Sequence, residues 1–330
     1  MHEKLKEDGR PNYCGLQLPV PSKLNAEKFS LYLKDYWDWQ VAFFVKFGFP
    51  LDIGNNKTLV SEPGNHPSAE KFPDHVDHYL KQELQHNAIL GPFKHPPFKL
   101  HTSPFLTREK SDSDNRRVIV DLSWPHGCSV NDAVQSDTYV GVDFLLTLPT
   151  IDHITNSVKK FGKNSFIAKI DVSRAFRHVP IDPKDIDKLG LFWNGFFIDL
   201  SLCFGLKHGS QIFQRISDSV RYIMSQENHH TVCYIDDHVL FGSTKYQCQR
   251  AYDRLTELLP ELGFTISEHK NVTPTTQAVC LGILINTDTF VMSVPPEKLK
   301  EIKKLVQAWS HRNTCTKKPI AIFTRFLTIY

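Results

Sequence analysis

The sequence predicts an α+β fold, an antiparallel sheet with helices on one face. Three observations carry that expectation. Apolar runs of strand length come in hairpin pairs, in LFWNGFFID, TVCYIDDHVLFG and AVCLGILINTDTFVMSV. Long amphipathic segments with helical spacing stand between them, over 209–226 and 245–262. Strand and helix never alternate in a βαβ series, so a parallel sheet is not expected.

Residues 1–25 include LPVPSKLN and read as an extended lead-in. A helix is predicted over 26–47, where Phe29, Leu33, Tyr36, Trp37, Phe43 and Phe44 recur near helical spacing. The stretch from Pro50 to Pro73 is rich in Gly, Asn, Ser and Pro and reads as a loop. A second helix is predicted over 75–86, with Val76, Tyr79, Leu80 and Leu84 on one side. After Gly91 prolines interrupt the chain. RRVIVDLS then alternates and is rich in β-branched residues, as a strand requires, and SFIAKID reads as a short buried strand. Asn194-Gly195, inside LFWNGFFID, is the dipeptide of a type I′ turn. The helix over 209–226 presents Ile212, Phe213, Ile216, Val220 and Ile223. The one over 245–262 presents Cys248, Ala251, Leu255, Leu258 and Leu262. Pro296 suits a first helical turn and opens a basic helix with Leu299, Ile302, Leu305 and Trp309 inward.

With 330 residues the chain can form one large domain or two to three small ones. Its 39 Lys and Arg against 36 Asp and Glu give a charge of +3, which excludes a histone-like or polybasic coat protein but not a local basic groove. The first residues, MHEKLKEDGR, have no apolar core, so no signal peptide is expected. No uninterrupted apolar stretch reaches membrane-spanning length. The 7 cysteines form no CxxC pair and suit reduced thiols in the cytoplasm or nucleus. His229, His230 and Cys233 cluster loosely; a zinc site there is weaker than the plain reading of an exposed loop before a strand.

Carboxylates break the strand pattern in two places. Asp171 ends SFIAKI, and Asp236 and Asp237 stand at the turn of TVCYIDDHVLFG. Aspartate is disfavoured in strands, so each asks for a reason. Were Asp171 and Asp236 on adjacent strands, two charges about 4 Å apart would repel by roughly 4 kcal/mol at an effective dielectric near 20. Protonation, a basic partner or a divalent cation must offset that, and carboxylate oxygens suit Mg²⁺. Because consecutive strand residues face opposite ways, Asp236 is expected to share cations with Asp171 while Asp237 supports.

RRVIVDLSWP, AKIDVSRAFRHVPI, LCFGLKHGSQIFQR, YIDD, LGFTISEHK and CLGILI fall in the order of the reverse transcriptase motifs, and YIDD fits Y-x-D-D. From about Leu80 to Met292 the chain resembles that family. SVNDAV, IDVSRAFRHVPID, PVPSKLN and PFKHPPFKLHTSP are most similar to the DIRS-type retrotransposons, which encode a tyrosine recombinase. The resemblance implies a right-hand polymerase fold. Residues 1–75 would be an extension and linker, 76–165 fingers and the start of the palm, 166–295 palm (with 182–200 contributing to the fingers), and 296–330 a truncated thumb. It implies RNA-directed DNA synthesis with two Mg²⁺ ions, for which Mn²⁺ can substitute. The partners would be a primed RNA or DNA template and dNTPs, with no membrane, and RNase H and recombinase regions would follow in the full element.

The same resemblance implies metal contacts from Asp171, Asp236, Asp237 and Val172, and makes Lys270 the acid that protonates the leaving pyrophosphate. Phe176 falls at the aromatic gate against a ribose 2′-OH, although a core role suits it equally on sequence alone. Arg117 and Lys110 fall near the incoming triphosphate. Gly205, Lys207 and Gln214 lie in the block under template and nucleotide, Tyr234 opens the YIDD turn, and Leu281-Gly282 match the primer-grip hairpin. Arg108, Arg116 and the Lys-rich helix after Pro296 would add to a nucleic-acid groove. Ala175 stands where RNA polymerases of related type carry a second aspartate, which favours deoxynucleotides. Two other readings stay open: a non-catalytic nucleic-acid-binding remnant and, more weakly, a template-directed RNA polymerase.

Overall fold

The computed structural model describes residues 19–54, 59, 63–110, 113–143, 146–310 and 314. Lys110 keeps a described backbone only, and the chain after 314 lies outside the described residues.

The predicted helix over 26–47 is two helices, α1 (Ala26–Tyr32) and α2 (Gln40–Phe47). Asn25 caps α1, its side chain accepting from the Lys28 N–H at 3.1 Å. Between the helices Asp38 is buried and takes two hydrogen bonds from the Arg215 guanidinium, both 2.7 Å. That long-range pair fixes the break, which the aromatic spacing conceals. Next come α3 (Pro67–Lys71) and α4 (Pro73–Gln85), each with proline in its first turn. β1 (Ile89–Phe93) follows, then the ribbon of β2 (Phe105–Lys110) and β3 (Ser113–Val120), the short α5 (Val130–Ala133), β4 (Thr138–Tyr139) and β5 (Val142–Asp143). α6 (Ile151–Phe161) leads into β6 (Phe166–Ser173).

β7 (Gly190–Phe192) and β8 (Phe196–Asp199) form the aromatic hairpin, but Phe192 pairs with Phe196, so the loop holds three residues rather than the expected two. The Trp193 indole accounts for the extra residue: its N–H donates to Asp77 at 2.6 Å. α7 (Gly209–Gln226), β9 (His230–Tyr234), β10 (Asp237–Gly242) and α8 (Lys245–Glu261) match the sequence expectation closely. β11 (Thr265–Ile266) and β12 (Val272–Thr275) both pair with β6. The last predicted hairpin is a three-stranded meander of β13 (Gln277–Cys280), β14 (Ile283–Asn286) and β15 (Val291–Ser293). In α9 (Pro296–Ser310) no residue is buried. Ile302, Leu305 and Trp309 are half-buried, and Leu299 is exposed rather than inward.

The chain divides into two compact units. The first comprises residues up to 147, 172–223 and 257–266. It holds the sheet β1-β8-β7 and the ribbon β2-β3. Its interior carries a buried ion network in which Arg177 bonds Glu83 at 2.8 Å and Asp199 at 2.9 Å. The second comprises 148–171, 224–256 and the chain from 267. Its core gathers Ile154 and Val158 of α6, Ile167 of β6, Val232, Val239 and Phe241 of the hairpin, and Ala278, Cys280 and Ile285 of the meander. This core carries one face of the sheet whose ends bear the carboxylates.

Candidate active site

In the second unit β6 lies beside β10 and β10 beside β9, all antiparallel. Asp237 is the register partner of Asp171 on one side and of Tyr234 on the other. Directly opposed residues share a face, so the Asp171 and Asp237 carboxylates stand side by side. Asp237, expected only to support, is thus the residue opposite Asp171, and Asp236 adjoins the pair from the turn, where the Asp171 charge acts on it. The turn between β9 and β10 takes only Ile235 and Asp236, so Asp236 sits at its tip, off the ladder. Ile235 has φ of 52°, a left-handed conformation that costs a β-branched residue about 1–2 kcal/mol. Of the two turn residues it alone has positive φ, as in a type II′ turn.

Main-chain bonds hold Asp171 in place. Its N–H donates to the Asn271 side-chain oxygen at 3.1 Å, and its carbonyl accepts from the Ser267 N–H at 2.8 Å. The Lys270 ammonium, in the 3₁₀ turn Glu268–Lys270, bonds both Asp171 carboxylate oxygens, at 3.0 and 3.2 Å. The Lys169 ammonium lies 3.6 Å from Asp237. Burial holds the Asp236 carboxyl above its usual range; the negative charges of Asp171 and Asp237 push the same way and Lys270 opposes them. His238 is buried, and burial lowers its imidazole to about 4, so it brings no positive charge at neutral pH. Three carboxylates thus face two ammonium groups, and the cluster calls for further positive charge. Its donors are carboxylate oxygens, which fit Mg²⁺ or Mn²⁺. Among the described residues no three ligating side chains yet converge at metal-binding distance. Lys270 stands on the Asp171 oxygens that a cation would use.

Lys169, Asn271, Ile235 and His238 are missing from the sequence expectations. Lys169 was readable: a lysine inside an apolar strand, two residues before Asp171, must share its face. Val172, by the same alternation, faces the other side, is buried, and pairs with Ile266. Leu281 and Gly282 form the two-residue turn between β13 and β14 with φ of 48° and 82°. Both are left-handed, the type I′ requirement that glycine meets without strain.

The remaining expected site residues belong to the first unit. Phe176 is buried, its ring stacked on Phe204 at 4.9 Å and tilted against Phe213 at 5.4 Å. Arg117 is exposed and directly opposes the exposed Arg108 across the ribbon. Like charges so placed repel. Arg116, in contrast, is tied to Thr107 and Glu109 and lies over the Phe72 ring at 3.9 Å. The Lys110 backbone pairs with Ser113. Gly205 has φ of 95° with room for a side chain, so its requirement is conformational. Lys207 is already engaged: its ammonium donates to the Val134 carbonyl at 3.0 Å. Gln214 is buried on α7.

Residues 124–285 match the family model described as reverse transcriptase (RNA-dependent DNA polymerase). The chain is 24% identical over 257 residues to the retrovirus-related Pol polyprotein from transposon gypsy of Drosophila melanogaster, which takes in 75% of this chain and 22% of that protein. To the corresponding polyprotein from transposon opus of the same fly it is 26% identical over 246 residues, 69% of this chain and 22% of that one. It therefore spans about a fifth of the length of these relatives. Among solved structures it resembles the foamy viral protease-reverse transcriptase in complex with RNA/DNA hybrid, with a TM-score of 0.63 at 15% identity over 96% of this chain and 41% of that one. The same protein in complex with dsDNA gives 0.62 at 15% identity, over 95% and 63%. The fold is the right-hand polymerase fold, with mixed helices and antiparallel sheets.

Proposed function

We propose that this chain, whose residues 124–285 match the reverse transcriptase family model and which is similar to retrotransposon Pol polyproteins, extends a primer 3′-OH with deoxynucleotides on an RNA or DNA template. The observation that carries the reading is the carboxylate cluster: Asp171 and Asp237 opposed in register, Asp236 at the adjoining turn, and more negative than positive charge among them. Asp171, Asp236 and Asp237 are the side chains that would hold two Mg²⁺ or Mn²⁺ ions. When bound, these supply charge stabilisation to the attacking and leaving oxygens of an in-line displacement.

The chain's own groups do the rest. Asn271 and Ser267 fix the Asp171 backbone, which limits how far its carboxylate must reorganise as charge develops. Lys270 carries a proton at Nζ beside Asp171 and is placed to deliver it to the departing pyrophosphate. Its side chain is 55% exposed, so it can leave the Asp171 oxygens. Phe176, clamped by Phe204 and Phe213, provides the rigid wall that a gate against a 2′-OH needs. The opposed Arg108 and Arg117 offer donors to a triphosphate. Fingers over 76–165, palm over 166–295 and thumb from 296 follow as the domain assignment.

The test is dTTP incorporation on poly(rA)/oligo(dT) with Mg²⁺ or Mn²⁺. Incorporation by the wild type and its loss in Asp236→Asn support the reading; equal incorporation by both sinks it. Within the retrotransposons, PVPSKLN, SVNDAV and IDVSRAFRHVPID favour the DIRS-type elements. A tyrosine recombinase frame in the same genomic element would support that placement, and an integrase frame would overturn it.

A further inference from the structure

Within the first unit a cavity of ≈ 400 Å³ is lined by Lys23, His86, Arg174, Arg177 and His178, with no aspartate or glutamate in its described lining. Its size suits a small ligand. Its charge is unbalanced. Arg177, buried, spends Nε on Glu83 at 2.8 Å and Nη1 on Asp199 at 2.9 Å. Arg174 turns to the same Glu83 oxygen at 2.9 Å. Lys23 meets the His86 ring at 3.4 Å, a contact that brings no negative charge. Three permanent cations therefore stand against the carboxylates of Glu83 and Asp199.

Two further observations agree. The Arg177 Nη2 is buried and finds no hydrogen-bond partner among the described residues. A buried charged donor without an acceptor is costly, so this Nη2 keeps an unmet demand for one. The His86 and His178 rings are both held below their ordinary range. Burial is the largest cause for each, and the Lys23 and Arg174 charges push the same way. Both imidazoles thus stay neutral beside the cations.

We propose that this cavity binds a small phosphate-bearing anion, held by the Lys23 ammonium and the Arg174 guanidinium over the buried charge of Arg177. Phosphate is favoured over a carboxylate because a fork of N–H donors and a separate ammonium together match its three or four terminal oxygens. Nothing in this inference depends on the polymerase reading.

Calorimetric titration of the full chain tests it. EDTA is present, so that no divalent ion bridges a phosphate to Asp171, Asp236 or Asp237. Inorganic phosphate, pyrophosphate and dAMP are titrated separately, and the arm that binds tightest identifies the source of the phosphate. Saturable one-to-one binding of at least one probe is expected. Lys23→Ala should weaken it about tenfold, and Lys23→Glu more, the loss of one charge-assisted contact. Lys23 is exposed, so neither substitution threatens the fold. Arg174→Lys, which keeps the charge and loses the fork, should fall between Lys23→Ala and wild type. No saturable heat with any probe, or equal affinity in Lys23→Glu and wild type, would overturn the proposal.

Discussion

Replacing Lys270 by alanine separates two roles that one ammonium group could play. Lys270 bonds both oxygens of Asp171, and its charge also opposes the upward push on the Asp236 carboxyl. If it is only a counter-ion, its removal leaves a more negative cluster, and saturating Mg²⁺ replaces its charge in full. If it delivers the proton to pyrophosphate, the loss persists at any metal concentration. A positioned acid contributes about 10²–10⁴-fold, so kcat should fall by that factor with KM for dNTP changed little. Stability should move by no more than about 1 kcal/mol, because a side chain 55% exposed is strongly screened. The assay is single-turnover extension over a range of pH and Mg²⁺, beside a urea titration. A variant as fast as wild type at saturating Mg²⁺ would refute the reasoning.

Other outcomes follow from individual residues. Phe176→Ala should raise ribonucleotide incorporation relative to deoxynucleotide, read from paired kcat/KM values; unchanged sugar preference would remove Phe176 from selection. Phe241→Ala opens the core of the second unit and should cost about 3–5 kcal/mol in urea denaturation. Arg177→Leu should cost a comparable ~3–5 kcal/mol, because it strands the buried Glu83 and Asp199 charges. His178 is lowered from 6.5 to about 4 by burial. The unfolded chain therefore takes up its proton first as pH falls, so stability is full above about 6.5 and is lost from there down to about 4. At roughly 1.4 kcal/mol per unit the loss comes to about 3–4 kcal/mol. His178→Gln should flatten that part of the pH–stability curve.

The local parts of the fold are readable from sequence because they rest on local causes. Apolar periodicity places α7 and α8 within a residue or so, and the three aspartates that break the strand pattern gather on the adjoining β6 and β10 and the turn before β10. Legibility ends where a distant partner decides. The break after α1 is held by Asp38 and Arg215, residues far apart in sequence. The wider loop of the aromatic hairpin follows from Trp193 reaching Asp77. In the site itself the identity of Asp171's neighbour depends on a turn of two residues. A turn of that length makes Tyr234 and Asp237 partners, and so sets Asp237 opposite Asp171 with Asp236 at the adjoining tip. Lys169 follows from strand alternation, whereas Asn271 depends on the path of the chain after the Lys270 turn, which no pattern announces.

The opposed carboxylates are tested most directly by the single-turnover rate of primer extension on an RNA template for wild type, Asp171→Asn and Asp237→Asn. Each variant keeps the size of its side chain and removes one of the two opposed charges. Wild-type extension should need a divalent ion, and each variant should lose about a thousandfold or more, the order of several kcal/mol of transition-state stabilisation. Extension by either variant at the wild-type rate would contradict the assignment of these carboxylates to the chemistry.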